Sequence, residues 1–332
     1  MSAPGAPSPS APSSSAPALP APALPAWIVS ENYAGLMAQG VGLAEAAGLS
    51  PLPRLLEPGF PWRHLSPRFW LRPLAIAAAA LGPPAPALAI TCGGAGAVVG
   101  AALARQRGMP VVQVQHPRMD PARFDLVVVN RHDRLDGPNV IVTRTALHRA
   151  TPARLAAEAA RWRARFADLP RPLVAVLVGG ANGRYQLGAA EGQKLAADLA
   201  AMMEADRVGL VLTPSRRTAP EVTKALADAL VPRGAWLWDG QGENPYFAML
   251  ALADAIVVTM DSVSMVSEAA ATAAPVLIAR LPGHSRRIGQ FLDGLAGDGR
   301  VRNFTGRLEL WPVTALDDTQ EAGAAIRHRL GI

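Results

Sequence analysis

Lysine is almost missing from this chain: it occurs only at 194 and 224, so nearly all of the 32 basic side chains are arginine. With abundant Ala and Pro, that bias reads as GC-rich codon usage rather than selection for a basic surface. Cysteine occurs once, at Cys92. One cysteine excludes an intrachain disulfide and a CxxC metal site, and it fits a reducing cytoplasm. Charge is sparse at 17% against 50% hydrophobic residues, so a core-building globular chain is expected. No dense Arg/Lys run is interleaved with aromatics, so nucleic acid is not an expected partner. The net charge of +6 leaves anionic phosphates or anionic lipid as partners. A membrane-spanning helix needs about 20 uninterrupted apolar residues. The apolar stretch 71–104 is broken by Arg72, Pro73, Pro83, Pro84 and Pro86, so no span is expected there. There is no HExxH, no GxSxG, no Walker loop, no GxGxxG and no carboxylate cluster, so neither a metal nor a tightly bound cofactor is expected.

What is present is a repeating strand–helix pattern. After Met1, residues up to 26 are Pro, Ala, Ser and Leu with one Gly and no side-chain charge, and 1–26 read as a disordered leader rather than a signal peptide. Strands are then expected at 27–30, 87–91, 109–115, 126–129 and 139–142. Helices are expected at 36–47, 73–81, from the Gly-rich turn 92–96 to about 106, and at 151–167, and the Pro- and aromatic-rich stretch 50–70 reads as an irregular excursion. After the linker 168–172 the pattern restarts, with strands at 173–178, 208–213, 235–238 and 255–258 and helices at 189–203, 220–230 and 245–252. A last helix, about 319–330, closes the chain and is a candidate to return to the first half. Strands separated by helices imply parallel sheets. Continuous apolar strands such as LVAVLV and AIVVT imply sheets covered on both faces. The fold class is therefore α/β, with two doubly wound Rossmann-like domains, 27–167 and 168–332, facing a cleft.

The most informative stretch is AIVVTMDSVSMVSEAAATAAPVLIARL, residues 255–281. It reads as a buried strand, a polar turn (Thr259, Asp261, Ser262, Ser264), an Ala-rich helix carrying Met265 and Glu268, and a second strand. In open α/β sheets ligands bind at the carboxyl edge of the strands, and a helix start suits a phosphate. An ordinary capped helix is the competing reading. Three neighbouring loops fall on the same predicted edge. The loop Gly179-Gly180-Ala181-Asn182-Gly183-Arg184 is either a backbone approach to a ligand or a tight turn. Ser215, Arg216 and Arg217 are either phosphate contacts or solvated side chains. Asn244 caps a helix in the loop 239–246. In the first half the Gly-rich turn 91–96 is a candidate backbone-approach site or a packed turn. His116, and His132 with Asp133, could each supply a general base.

At this point the residues resemble a family. SVSMVSEAAATAAPVLIA is similar to the donor-site unit of GT-B glycosyltransferases that act on lipid-linked peptidoglycan precursors, where the glutamate holds the nucleotide ribose. VGGANGRY, TPSRRT, ENPYFAMLALAD, TMDSVSMVSEA, QHPR and GPNVIVTRTALHR, in this order apart from the earlier position of the last two, resemble the bacterial family named after a plant mitochondrial-fission protein, the Elm family. Its expected serine-glycine-arginine type loop is TCGGAG here, and Ala274 replaces a usual Gly. The resemblance implies a GT-B-like fold and a nucleoside-diphosphate-sugar substrate, with no cofactor or metal. The C-terminal half would hold the donor, with Glu268 on the ribose and Ser262, Ser264, Arg184 and Arg216 at the diphosphate. The base would come from the first half, His116 before His132. A cell-envelope lipid or glycan would be the acceptor, and a cytoplasmic protein touching the inner membrane peripherally is expected. An epimerase on the same fold, and a non-catalytic interaction protein, are the two alternatives.

Overall fold

The computed structural model describes residues 23–332. Most of the expected leader lies outside the described residues, but its last two residues do not belong to a leader. Strand β1 (Pro25–Glu31) begins there, with Ala26 fully buried. Helix α1 (Ala34–Ala46) follows, then β2 (Ser50–Leu56), α2 (Pro73–Ile76), β3 (Leu88–Cys92), α3 (Gly93–Arg107), β4 (Val111–Val114), β5 (Leu126–Asn130) and β6 (Val140–Thr143). These six strands form one sheet in the order β2-β1-β3-β4-β5-β6, all parallel.

Two expectations are corrected here. The start of the 50–70 excursion is a strand: SPLPRLL pairs with β1 alone, and an edge strand with one ladder partner tolerates prolines. The Gly-rich turn after β3 is the first turn of α3, because the helix starts at Gly93. Its glycines let that helix lie close to β1 and β3.

Helix α4 (Pro152–Trp162) starts at Thr151, whose hydroxyl accepts from the Arg154 N–H at 3.2 Å. The second sheet follows: β7 (Leu173–Val178), α5 (Ala189–Asp206), β8 (Gly209–Pro214), α6 (Pro220–Leu230), β9 (Trp236–Leu237), α7 (Tyr246–Leu252), β10 (Ala255–Thr259), α8 (Val263–Ala270), β11 (Val276–Ala279), α9 (Arg286–Gly297) and β12 (Val301–Asn303). Its order is β12-β11-β10-β7-β8-β9, again parallel throughout. Elements α9 and β12 have no counterpart among the expected ones. Every residue of β7 and β10 is buried, as the continuous apolar runs require for a sheet covered on both faces.

Helix α10 (Asp318–Leu330) ends the chain. Two helices pack across the order of the sequence. Leu155, Ala159 and Trp162 of α4 join the core under the second sheet, with Ile256 and Leu252. Ala322 and Ile326 of α10 join the first sheet's core, with Leu43 and Ala44 of α1. Asp318, almost wholly buried, secures that return by accepting from the Thr145 N–H at 2.7 Å and from the Arg144 Nε at 2.8 Å. The expected boundary at 167/168 follows chain order; by packing, α4 goes with the second sheet and α10 with the first.

Candidate functional site

In the second sheet the strand order reverses between β7 and β10, each of which starts its connection to opposite sides. A crevice at the carboxyl ends of such a pair is the usual ligand position in open α/β sheets. Gly179 and Gly180 leave β7 there, and Asp261 and Ser262 leave β10.

The two loops are stitched to each other. The Gly179 N–H donates to Thr259 Oγ1 at 2.7 Å, and the Gly180 N–H donates to Asp261 Oδ2 at 3.0 Å. The Asn182 amide donates to the Asp261 carbonyl at 3.1 Å. Arg217 donates to Asp261 Oδ2 at 2.9 Å and to the Gly180 carbonyl at 3.1 Å. A Cβ on Gly179 would lie 2.2 Å from Asp261 Oδ2, so only glycine leaves room for that carboxylate. Ser215 belongs to the same knot through Thr218, 3.1 Å away. These residues therefore shape the crevice floor rather than project into it, and Arg217 is spent on Asp261. Arg216 stands exposed beside them. Asn244 does not cap α7, whose cap position is Pro245 and which has no side-chain cap. Its amide donates instead to Thr213 Oγ1 at 2.9 Å, tying the loop to the end of β8.

Helix α8 starts at this crevice. Ser262 caps it, accepting from the Met265 N–H at 3.4 Å. Ser264 faces the cleft between the sheets, and Met265 packs on the core beneath. Glu268 lies in the second turn. Tyr246 of α7 donates its hydroxyl to Glu268 Oε2, and burial pushes the Glu268 carboxyl up to about 7 although part of its side chain stays accessible. Burial and the adjacent Glu268 hold the Tyr246 hydroxyl well above its ordinary value. Arg300, buried behind α8, donates to the carbonyls of Ala269, Ala270, Thr272 and Ala274 at 2.7–3.1 Å. A cation on the last carbonyls of a helix fixes that end.

Across from α8, the first sheet contributes His132 and Asp133. The cavity between the halves encloses about 260 Å³ and is lined by Asn130, His132, Asp133, Arg184, Ser264 and Arg287, among others. It opens into a wider mouth of about 600 Å³, where Arg184 and Arg287 meet His284 and Ser285. Arg184 donates to Ser285 Oγ at 3.1 Å. Arg287, at the start of α9, donates to His132 Nε2 at 2.6 Å and to Asp133 Oδ1 at 2.9 Å. Burial lowers the His132 pKa, the Arg287 cation lowers it further, and Asp133 opposes both. The halves are also joined by Arg131 and Asp298 at 2.8 Å, and by the Ala146 N–H donating to Ser267 Oγ at 3.0 Å.

The structure thus brings Arg184, Ser264, His132 and Asp133 to one cavity. It brings neither His116 nor Glu268 onto that wall: His116 Nδ1 accepts from the Arg118 N–H at 2.9 Å, and Glu268 is turned to Tyr246 of α7. Sequence reasoning missed Arg287, Tyr246 as the partner of Glu268, and Arg300. The repeated Arg pair in SRRIGQ was the available signal for Arg287. Among the described residues no three His, Cys, Asp or Glu side chains gather as a metal site.

The sequence model of the family described as "Mitochondrial fission ELM1" matches residues 34–330. The mitochondrial fission protein ELM1 of Arabidopsis thaliana is 33% identical, over 74% of this chain and 64% of that protein. This chain therefore spans somewhat less than two thirds of that relative. Among solved structures, the UDP-GlcNAc 2-epimerase of Methanocaldococcus jannaschii aligns over 93% of this chain and 100% of its own, with a TM-score of 0.55 at 10% identity. The S. aureus MnaA–UDP co-structure aligns over 93% and 97%, with a TM-score of 0.51 at 10% identity. At such identity the likeness is one of fold: two Rossmann-like sheets facing a cleft, the GT-B-like arrangement.

Proposed function

This chain belongs to the mitochondrial fission ELM1 family, and from the geometry of its cleft we propose that it is a nucleotide-sugar enzyme, a glycosyltransferase in the first instance. One observation carries the reading. The start of α8, with Ser264 on the cavity wall, sits at the strand-order reversal between β7 and β10, and Arg184 and Arg287 flank the same cavity. Free N–H groups, a helix dipole and two guanidinium forks are a complement to a diphosphate. Glu268, held by Tyr246 with Oε1 left to accept, would take the ribose hydroxyls.

In the transfer step the bond between the sugar's anomeric carbon and the diphosphate oxygen breaks. The leaving diphosphate gains charge, which Arg184, Arg287 and the α8 N–H groups would neutralise without a metal or cofactor. A bond forms from the acceptor hydroxyl, whose proton needs a base. His132 fits that role better than His116, since it lines the cavity and carries Asp133 beside it. Its Nε2 becomes available once Arg287 turns from it to the diphosphate. The acceptor would be a cell-envelope lipid or glycan, handled on the cytoplasmic side of the inner membrane.

The epimerase alternative is favoured by the fold neighbours, one a UDP-GlcNAc 2-epimerase and one seen with UDP. It needs no acceptor. The non-catalytic alternative draws on the Arabidopsis relative's name and on the Arg287 contact that occupies His132. Calorimetric titration with nucleoside diphosphates separates these readings. Binding that weakens at least tenfold in Arg184→Ala is expected. No binding of any nucleoside diphosphate would remove both enzyme readings. If binding holds, conversion of a donor sugar incubated alone would select the epimerase.

A further inference from the structure

Five of the eleven large apolar side chains that stand exposed among the described residues fall between Leu55 and Leu71: Leu55, Phe60, Leu65, Phe69 and Leu71. Leu71 is 87% and Phe60 78% accessible, values that a loop folded on itself would not leave. The segment is nonetheless built. Trp70 is buried in the core beside Trp27 and Ala95, Trp62 packs against the same cluster, and the Trp70 indole donates to the Trp62 carbonyl at 3.4 Å. Two single turns of 3-10 helix, Trp62–His64 and Pro67–Phe69, hold the shape. The two tryptophans anchor the loop inward, and the remaining apolar side chains are held outward.

Charge around them is mainly positive. Arg63, Arg68 and Arg72 are exposed, and Glu57 is the only acid between residues 50 and 74. The Arg68 guanidinium lies 4.7 Å from the Phe69 ring centre. Aromatic and leucine side chains that enter the headgroup region, rimmed by arginines that meet lipid phosphate, are the chemistry of an interfacial anchor. Two copies meeting through this face would set arginine against arginine, which argues against self-pairing. No helix among the described residues is long and apolar enough to cross a membrane, so attachment here would be peripheral.

We infer that the 55–72 segment is a docking surface for an anionic lipid bilayer. It follows β2 at the carboxyl edge of the first sheet, the edge that faces the cleft. Docking there sets the rim of the cleft on the lipid surface, where a lipid-linked acceptor would be reached. This deepens the partner assignment in the proposed function but stands independently of nucleotide binding, so the two can fail separately.

The test is co-sedimentation of the full chain with vesicles of phosphatidylcholine alone and with about 30% of the anionic phosphatidylglycerol added. Binding to the anionic vesicles only, weakened by salt, is expected. Arg63→Ala/Arg68→Ala/Arg72→Ala should lower partitioning on the order of a hundredfold, about fivefold per charge. Phe60→Ser/Phe69→Ser should lower it at least tenfold. All five positions are exposed, so both variants are expected to melt like the parent and to bind nucleoside diphosphate like the parent. Absence of vesicle binding, equal binding to neutral and anionic vesicles, or binding unchanged in both variants overturns the inference. So does a concentration-dependent dimer that Phe60→Ser/Phe69→Ser dissolves, which would make the face a contact between copies.

Discussion

Replacing Glu268 by glutamine should make the free protein more stable and its nucleotide site weaker. The Glu268 carboxyl is pushed from 4.5 to about 7 by burial. At about 1.36 kcal/mol per pH unit, ionising it in the folded chain costs about 3 kcal/mol. Solvent at the accessible part of the side chain trims that figure. Because the folded value lies above the unfolded one, stability from this group is fully present below pH 4.5 and is lost as pH rises through 7. Glutamine keeps an oxygen to accept from Tyr246 and carries no charge to bury. Chemical denaturation of the two proteins should therefore show a small gap at pH 5 and a gap approaching 3 kcal/mol at pH 8, in favour of Glu268→Gln. The nucleotide affinity should move the other way, by roughly tenfold, because a charged hydrogen bond to the ribose becomes a neutral one. Parent affinity should itself rise between pH 6 and pH 8. A glutamine variant no more stable than the parent at pH 8, or a gap equal at both pH values, would refute the buried-carboxyl reasoning. Unchanged affinity would refute the ribose assignment alone.

Other consequences follow from the same structure. Arg287→Ala removes a cation from His132 but leaves the larger effect of burial, so the imidazole should titrate at higher pH than in the parent yet below its ordinary value; NMR of the ring protons reads this. Arg300→Met leaves four buried carbonyls without their donor and should cost about 3 kcal/mol or more in denaturant unfolding; a midpoint equal to the parent's would contradict its role at the end of α8. A Cβ at Gly323 would lie 2.6 Å from the Ala46 carbonyl carbon, so Gly323→Val should lift α10 off α1 and cost about 1–3 kcal/mol, with earlier protease cleavage of the C-terminal helix as the local readout.

The second half of the fold was more legible in the sequence than the first. Strands β7, β8 and β10 are continuous apolar runs bounded by helices with polar faces, and that pattern admits few other structures. β2 hid behind two prolines, which matter little to a strand with a single neighbour. α3 was legible to its end near Gln106, and only its first turn, from Gly93, hid behind glycines that serve its approach to the sheet. In the site, chemistry was read from residue type, and type alone cannot tell a ligand contact from a latch. Asp261 looked like a ligand until Gly179, 82 positions earlier, proved to be the gap it fills. Arg287 belongs to no motif, and only folding carries it 155 positions to His132.

The crossing of α10 back to the first sheet imposes an order on biosynthesis. Domains usually fold in turn as they leave the ribosome. Here the groove over α1 that receives Ala322 and Ile326 stays bare until the whole second sheet, β7 to β12, has been made. The earliest half of the polypeptide is therefore the last to be sealed. Its exposed apolar flank waits through the whole translation of the second sheet, an interval in which chaperone capture and premature association compete with folding.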